Sequence, residues 1–128
     1  MKYYFSKTIP LSFEDAIEKV IAELKKEGFG VLTDIDVKET LKKKLDVNFK
    51  KYRILGACNP PFAYKALQVE GKIGTMLPCN VIVQEIDEGQ VEVAAIDPVA
   101  SMQAVANPAL KDVAEEVQAK LKKVMENL

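Results

Sequence analysis

Histidine and tryptophan are absent from the 128 residues, and Arg53 is the sole arginine. Without histidine there is no Ser-His-Asp or Cys-His arrangement, no imidazole pH switch and no histidine-bound catalytic zinc. A single arginine argues against bidentate phosphate recognition, for which the guanidinium fork is the preferred group. Cysteine is limited to Cys58 and Cys79, too far apart in the chain for the C-x-x-C spacing of a thioredoxin or zinc motif. No apolar run approaches the ~18 residues of a membrane span. The segment Met1–Lys7 has no apolar stretch and no cleavage site, so it does not read as a signal peptide. These points lead to the expectation of a cytoplasmic protein with reduced thiols, no structural disulfide and no membrane contact. Glycine-rich phosphate loops are missing in useful form: Gly28 and Gly30 do not make G-x-G-x-x-G, and Gly71 and Gly74 lead into a strand.

Neither sign of charge dominates: 18 basic and 19 acidic side chains give a net charge of −1. A nucleic-acid binder usually carries a basic excess, so no nucleic-acid partner is expected. The charge is uneven, with residues 1–53 at net +3 and residues 54–128 at net −4. Lys42, Lys43, Lys44, Lys50, Lys51 and Arg53 make the basic stretch. It reads either as a patch for phosphate or an acidic partner, or as a solvated loop and strand edge guarded by lysines. Tyr3, Tyr4 and Tyr52 lack RNP-like spacing and read as core or edge residues. With 48% hydrophobic and 29% charged residues the composition is that of one globular domain over residues 1–128.

Residues 2–9 alternate aromatic and β-branched side chains at period two and predict a strand ended by Pro10. Ser12 opens a helix, and Phe13, Ala16, Ile17, Val20, Ile21 and Leu24 make its apolar stripe, with Glu14, Glu18, Glu23, Lys25 and Lys26 outside. Gly28 stops it. Phe29 to Ile35 predicts a strand, Val37 to Leu45 a weak helix or loop, and Phe49 to Leu55 another strand. Pro61 suits the first turn of a helix over Phe62–Glu70. Met76 to Ile86 reads as a strand that Pro78 marks as an edge or a bulge. Asp87-Glu88-Gly89 turns the chain into a return strand at Val91–Ala95. A short turn or helix follows around Val99–Val105. Asn107 and Pro108 open a final helix striped by Leu110, Val113, Val117, Leu121, Val124 and Leu128. That stripe faces either a coiled-coil partner or its own sheet; fewer than three heptads favour the sheet. The order predicts an α+β layer fold, a mostly antiparallel sheet with helices on one face and an extra short helix between the third and fourth strands.

Chemistry centres on two similar contexts, Cys58-Asn59-Pro60 and Pro78-Cys79-Asn80, each where a strand meets a proline-disrupted turn. Neighbouring thiols, with Met76 and Met102 nearby, suit a soft ion such as Cu(I), a redox pair or a persulfide carrier. The alternative is plain packing: free cysteine is often buried, and Cys79 shares a strand face with Val81 and Val83. Asn59 and Asn80 either satisfy local backbone or line a polar pocket. Asp97 either caps the turn after Pro98 or presents a pocket carboxylate. Lys65 is either solvated or close enough to lower a thiol pKa.

The blocks Tyr52–Pro60 (YRILGACNP), Gly74–Val83 (GTMLPCNVIV) and Asp97–Met102 (DPVASM) resemble the signature blocks of the family called domain of unknown function 302. The resemblance extends over nearly the whole chain. It implies a β-α-β(4)-α arrangement, a curved antiparallel sheet like one half of the TATA-binding protein, assembled as a homodimer. It brings no catalytic residues; Cys58, Asn59, Pro60, Leu77, Pro78, Cys79, Asn80, Asp97, Pro98 and Met102 are the matching positions. Three functions follow as expectations. The first is a binding or sensing domain with a pocket near Cys58 and Cys79 for a soft metal, reactive sulfur or a small molecule. The second is a dimeric interaction module with inert cysteines. The third is an enzyme with a cysteine nucleophile, activated by Lys65 or by the helix terminus after Cys58.

Overall fold

The computed structural model describes residues 2–128. The chain runs β1 (Tyr4–Ile9), α1 (Phe13–Lys26), β2 (Gly30–Asp36), α2 (Val37–Leu45), β3 (Tyr52–Cys58), α3 (Pro60–Val69), a 3-10 turn (Ile73–Met76), β4 (Cys79–Asp87), β5 (Gln90–Ile96), α4 (Pro98–Ser101) and α5 (Ala109–Glu126). The five strands form one open antiparallel sheet in the order β1-β5-β4-β3-β2. This is the α+β layer fold anticipated from the residue pattern.

Alternation decides which side of the sheet is covered. Leu55 and Ala57 on β3, Val81 and Val83 on β4, and Val91 and Val93 on β5 are buried beneath α1 and α5. α1 begins where Ser12 Oγ accepts from the Asp15 N–H at 3.2 Å. Its buried stripe is Phe13, Ala16, Ile17, Val20, Glu23 and Leu24. The stripe is therefore turned relative to expectation, with Ile21 38% exposed and Glu23 buried. The cause is α5 alongside: α1 turns its Glu23 and Glu27 edge toward that helix, Lys123 reaches Glu27 at 3.7 Å, and Glu23 keeps a partner in Lys26 at 2.7 Å. α5 buries Leu110, Ala114, Val117, Leu121, Val124 and Met125, so its apolar face is spent on its own fold. Asn107 Oδ1 accepts from the Ala109 N–H at 3.0 Å, which is the anticipated capping contact.

Val37–Leu45 forms a helix although none of its residues is buried. Asp36 caps it by accepting from the Glu39 N–H at 3.0 Å. Two strand starts shift from expectation: β3 begins at Tyr52 and β4 at Cys79. β4 is the central strand, so Pro78 marks neither an edge strand nor a bulge inside the ladder. It precedes the first paired residue, where a missing N–H costs no ladder hydrogen bond. α1 and α5 leave uncovered the opposite face of the sheet, which presents half-buried Tyr4, Ile54, Ile82 and Ile96.

Candidate functional site

The site is built where β3 ends and β4 begins, beside α3. Ala57 pairs with Cys79 and Gly56 with Asn80. On the other flank, the β2–β3 register shifts between Val31 and Thr33, leaving Leu32 as an extra residue that is 69% exposed. Such a bulge re-aims side chains. Here it sends Leu32 toward the ends of β3 and β4 and lays Thr33 across Gly56. A Cβ on Gly56 would lie 2.1 Å from Thr33 Oγ1 and 2.7 Å from Pro78 Cγ. Glycine at this position is thus required by close approach.

Asn59 links β3 to α3. Its side chain is buried, and Nδ2 donates to the Glu27 carbonyl at 3.1 Å, tying the start of α3 to the end of α1. The chain leaves α1 through Gly28, whose φ of +87° only glycine adopts readily. Pro60 and Pro61 then occupy the first turn of α3.

Between these elements lies a cavity of about 330 Å³. Its floor is Ala57, Cys58 and Cys79. Phe62, Ala63 and Ala66 of α3 make one wall, and Val113, Ala114 and Val117 of α5 the other, with Met102 closing the far side. The alanines on the two walls leave the volume that larger side chains would fill. The cavity also separates two hydrophobic clusters: one beneath the sheet, the other formed by Ala66, Ile73, Met102, Leu110 and Ala114. No charged side chain lines it, and Asn59 is its one amide. Burial, with a smaller contribution from neighbouring Cys58, pushes the Cys79 thiol up to about 11. That thiol stays protonated near neutral pH and behaves as a small apolar group.

Five of the ten sequence-derived candidates therefore converge on one cavity: Cys58, Asn59, Pro78, Cys79 and Met102. The others do not. Pro60 is exposed at the first position of α3. Met76 ends the 3-10 turn, is 37% exposed and does not line the cavity. Asn80 is exposed on the opposite face of the sheet, because it alternates with Cys79. Asp97 is a cap: Oδ1 accepts from Val99 N–H at 3.0 Å, Ala100 N–H at 3.4 Å and Gln118 Nε2 at 3.0 Å. Lys65 is exposed, with Nζ 5.5 Å from the Phe62 ring centre, and burial rather than a lysine sets the Cys79 thiol. Among the described residues, no three His, Cys, Asp or Glu side chains gather as a metal site.

The basic stretch is largely neutralised in place. Lys42 meets Asp46 at 2.6 Å, Lys43 meets Glu39 at 3.0 Å and Lys51 meets Glu14 at 3.1 Å. Arg53 grips Asp34 with both Nε and Nη2.

Fold and cavity together define an α+β domain with an open five-stranded antiparallel sheet and an apolar pocket beside its central strands. The chain belongs to the family described as domain of unknown function DUF302, which matches residues 5–128. A crystal structure titled uncharacterized conserved protein DUF302 from Bacillus stearothermophilus is similar to it, with 28% sequence identity, 98% of each chain covered and a TM-score of 0.90. No curated protein matches the chain.

Proposed function

We propose that the protein is a ligand-binding or sensing domain that takes the apolar body of a small molecule into the cavity beside Cys58 and Cys79. The observation that carries this reading is the cavity itself, about 330 Å³ with an uncharged lining. Small-molecule sites span roughly 300–1,000 Å³ and are mostly apolar with a few polar groups. At the ~30 Å³ a small group occupies in a liquid, the space suits a ligand of about ten non-hydrogen atoms. Two thiols and the Met102 thioether also share the cavity, the donor set anticipated for a soft metal. Burial of Cys79 works against that use, since a metal must displace the thiol proton that burial retains. An apolar body in the cavity leaves both thiols as they are. The reading places the protein in the cytoplasm, where they stay reduced.

Titration calorimetry with octan-1-ol tests it. Saturable binding at one site per chain is expected, lost in Ala66→Leu and Ala114→Leu, which fill the two walls. Absence of heat with the unmodified protein, or binding unaffected by both substitutions, removes the cavity from consideration.

The uncovered sheet face supports a second reading, a homodimeric interaction module. Tyr4, Ile54, Ile82 and Ile96 are half-buried there, and Ile35 is 47% exposed beside them. Apolar side chains grouped beside Gln84 and Glu92 on a sheet face suit an interaction surface with a polar rim. Sedimentation velocity at micromolar concentration is expected to give a dimer that Ile82→Lys converts to monomer. A monomer before substitution excludes the module. The two readings are compatible, because the cavity and the open face lie on opposite sides of the sheet.

A further inference from the structure

We infer that the ligand is an anionic amphiphile: an aliphatic chain of about eight to ten carbons in the cavity, with a carboxylate-class head at Lys65 and Lys120. This rests on the cavity being the binding site and adds the chemical class of its guest. The observation is a convergence on Phe62, which lines the cavity. Lys65 Nζ of α3 lies 5.5 Å from the Phe62 ring centre, and Lys120 Nζ of α5 lies 5.9 Å from it. Two ammonium groups from different helices thus share one aromatic ring at the border of an uncharged space.

Neither ammonium has an acidic partner among the described residues, so both are open to an anion. Glu116, one turn before Lys120, is exposed and pairs with neither. No carboxylate lines the cavity either. Each ammonium lies within 6 Å of the Phe62 ring centre, so an anionic head resting against that ring meets positive charge. The chemistry asks for an apolar body and a negative head. A cationic head meets repulsion, and a neutral one gains only the apolar contact.

Calorimetric titration of octanoate, octan-1-ol and octylammonium against the unmodified protein and Lys65→Gln/Lys120→Gln decides the matter. All three probes carry the same length of chain. Octanoate is expected to bind about fivefold tighter than octan-1-ol, the scale of partly exposed ion pairs, and octylammonium weaker than both. The double variant should erase the preference and leave octan-1-ol affinity unchanged. Raising salt to 1 M should shrink the preference in the unmodified protein. Equal affinity for the three probes, or a preference that survives the double variant, overturns the anionic head while leaving the cavity in place. Octanoate binding that survives Ala66→Leu assigns it to surface lysines and also overturns the inference. If none of the three binds, the cavity reading itself falls.

Discussion

Substituting Gly56 with alanine separates two opposing effects. In a strand interior, alanine is ordinarily better than glycine by about 0.5–1 kcal/mol, because it loses less backbone freedom on folding. Nothing in the backbone at Gly56 forbids a side chain, since its φ is not positive. The obstacle is contact. The new Cβ would meet Thr33 Oγ1 at 2.1 Å and Pro78 Cγ at 2.7 Å, with Thr33 Cβ at 3.4 Å. Thr33 is exposed and Pro78 immediately precedes β4, so relief requires the Thr33 side chain to leave its rotamer and the Pro78 ring at the entry to β4 to shift. Overpacking of this kind costs about 1–3 kcal/mol, which outweighs the entropic gain. Urea unfolding of Gly56→Ala should show a lower midpoint with an unchanged slope, and a melting temperature lower by about 5–10 °C. Thr33→Ala alone, at an exposed position, should change stability by about 0.5 kcal/mol or less. Combined with Gly56→Ala it removes the closest contact and should restore about 1 kcal/mol, leaving the Pro78 clash behind. Gly56→Ala as stable as the parent, or a double variant showing no coupling, would refute the claim that Gly56 is fixed by crowding from its neighbours.

The Cys79 thiol, held up at about 11 by burial, binds its proton more tightly folded than unfolded. Its contribution is complete below the unfolded thiol pKa near 9 and is lost as pH rises toward 11. The loss is on the order of 3 kcal/mol, and the pH 9–11 slope of unfolding free energy should be shallower in Cys79→Ala. Asn59→Ala should cost about 1–2 kcal/mol by urea unfolding, since it strips the Glu27 carbonyl of its buried donor. Asn59→Asp at pH 7 should cost more, because a carboxylate then faces that carbonyl.

What the residue pattern reveals depends on the range of the contacts involved. Period-two alternation places Cys79 with Val81 and Val83, and all three are buried on the helix-covered face. The same alternation puts Asn80 on the other face, so the resemblance between Cys58-Asn59-Pro60 and Pro78-Cys79-Asn80 is not a resemblance of position. Asn59 turns inward as the chain leaves β3, whereas Asn80 remains within a ladder. Asp97 follows from local chemistry, a carboxylate one residue before a helix-opening proline, and its capping role is the one such spacing favours. The convergence of Cys58 and Cys79 needs strand order, which neither segment encodes alone. The walls needed still more. Ala63, Ala66 and Ala114 are ordinary helix residues in sequence, and become a vacancy only once α3 and α5 face each other across the ends of β3 and β4. The β2 bulge carries no glycine or proline at Leu32 and Thr33 to announce it, yet it determines why Gly56 cannot be anything larger. Pairs of lysines on Phe62 are equally silent, because Lys120 lies on the final helix, distant in the chain from Lys65. Sequence therefore identifies the chemistry that local spacing controls, and the fold supplies the cavity that brings Cys58 and Cys79 together.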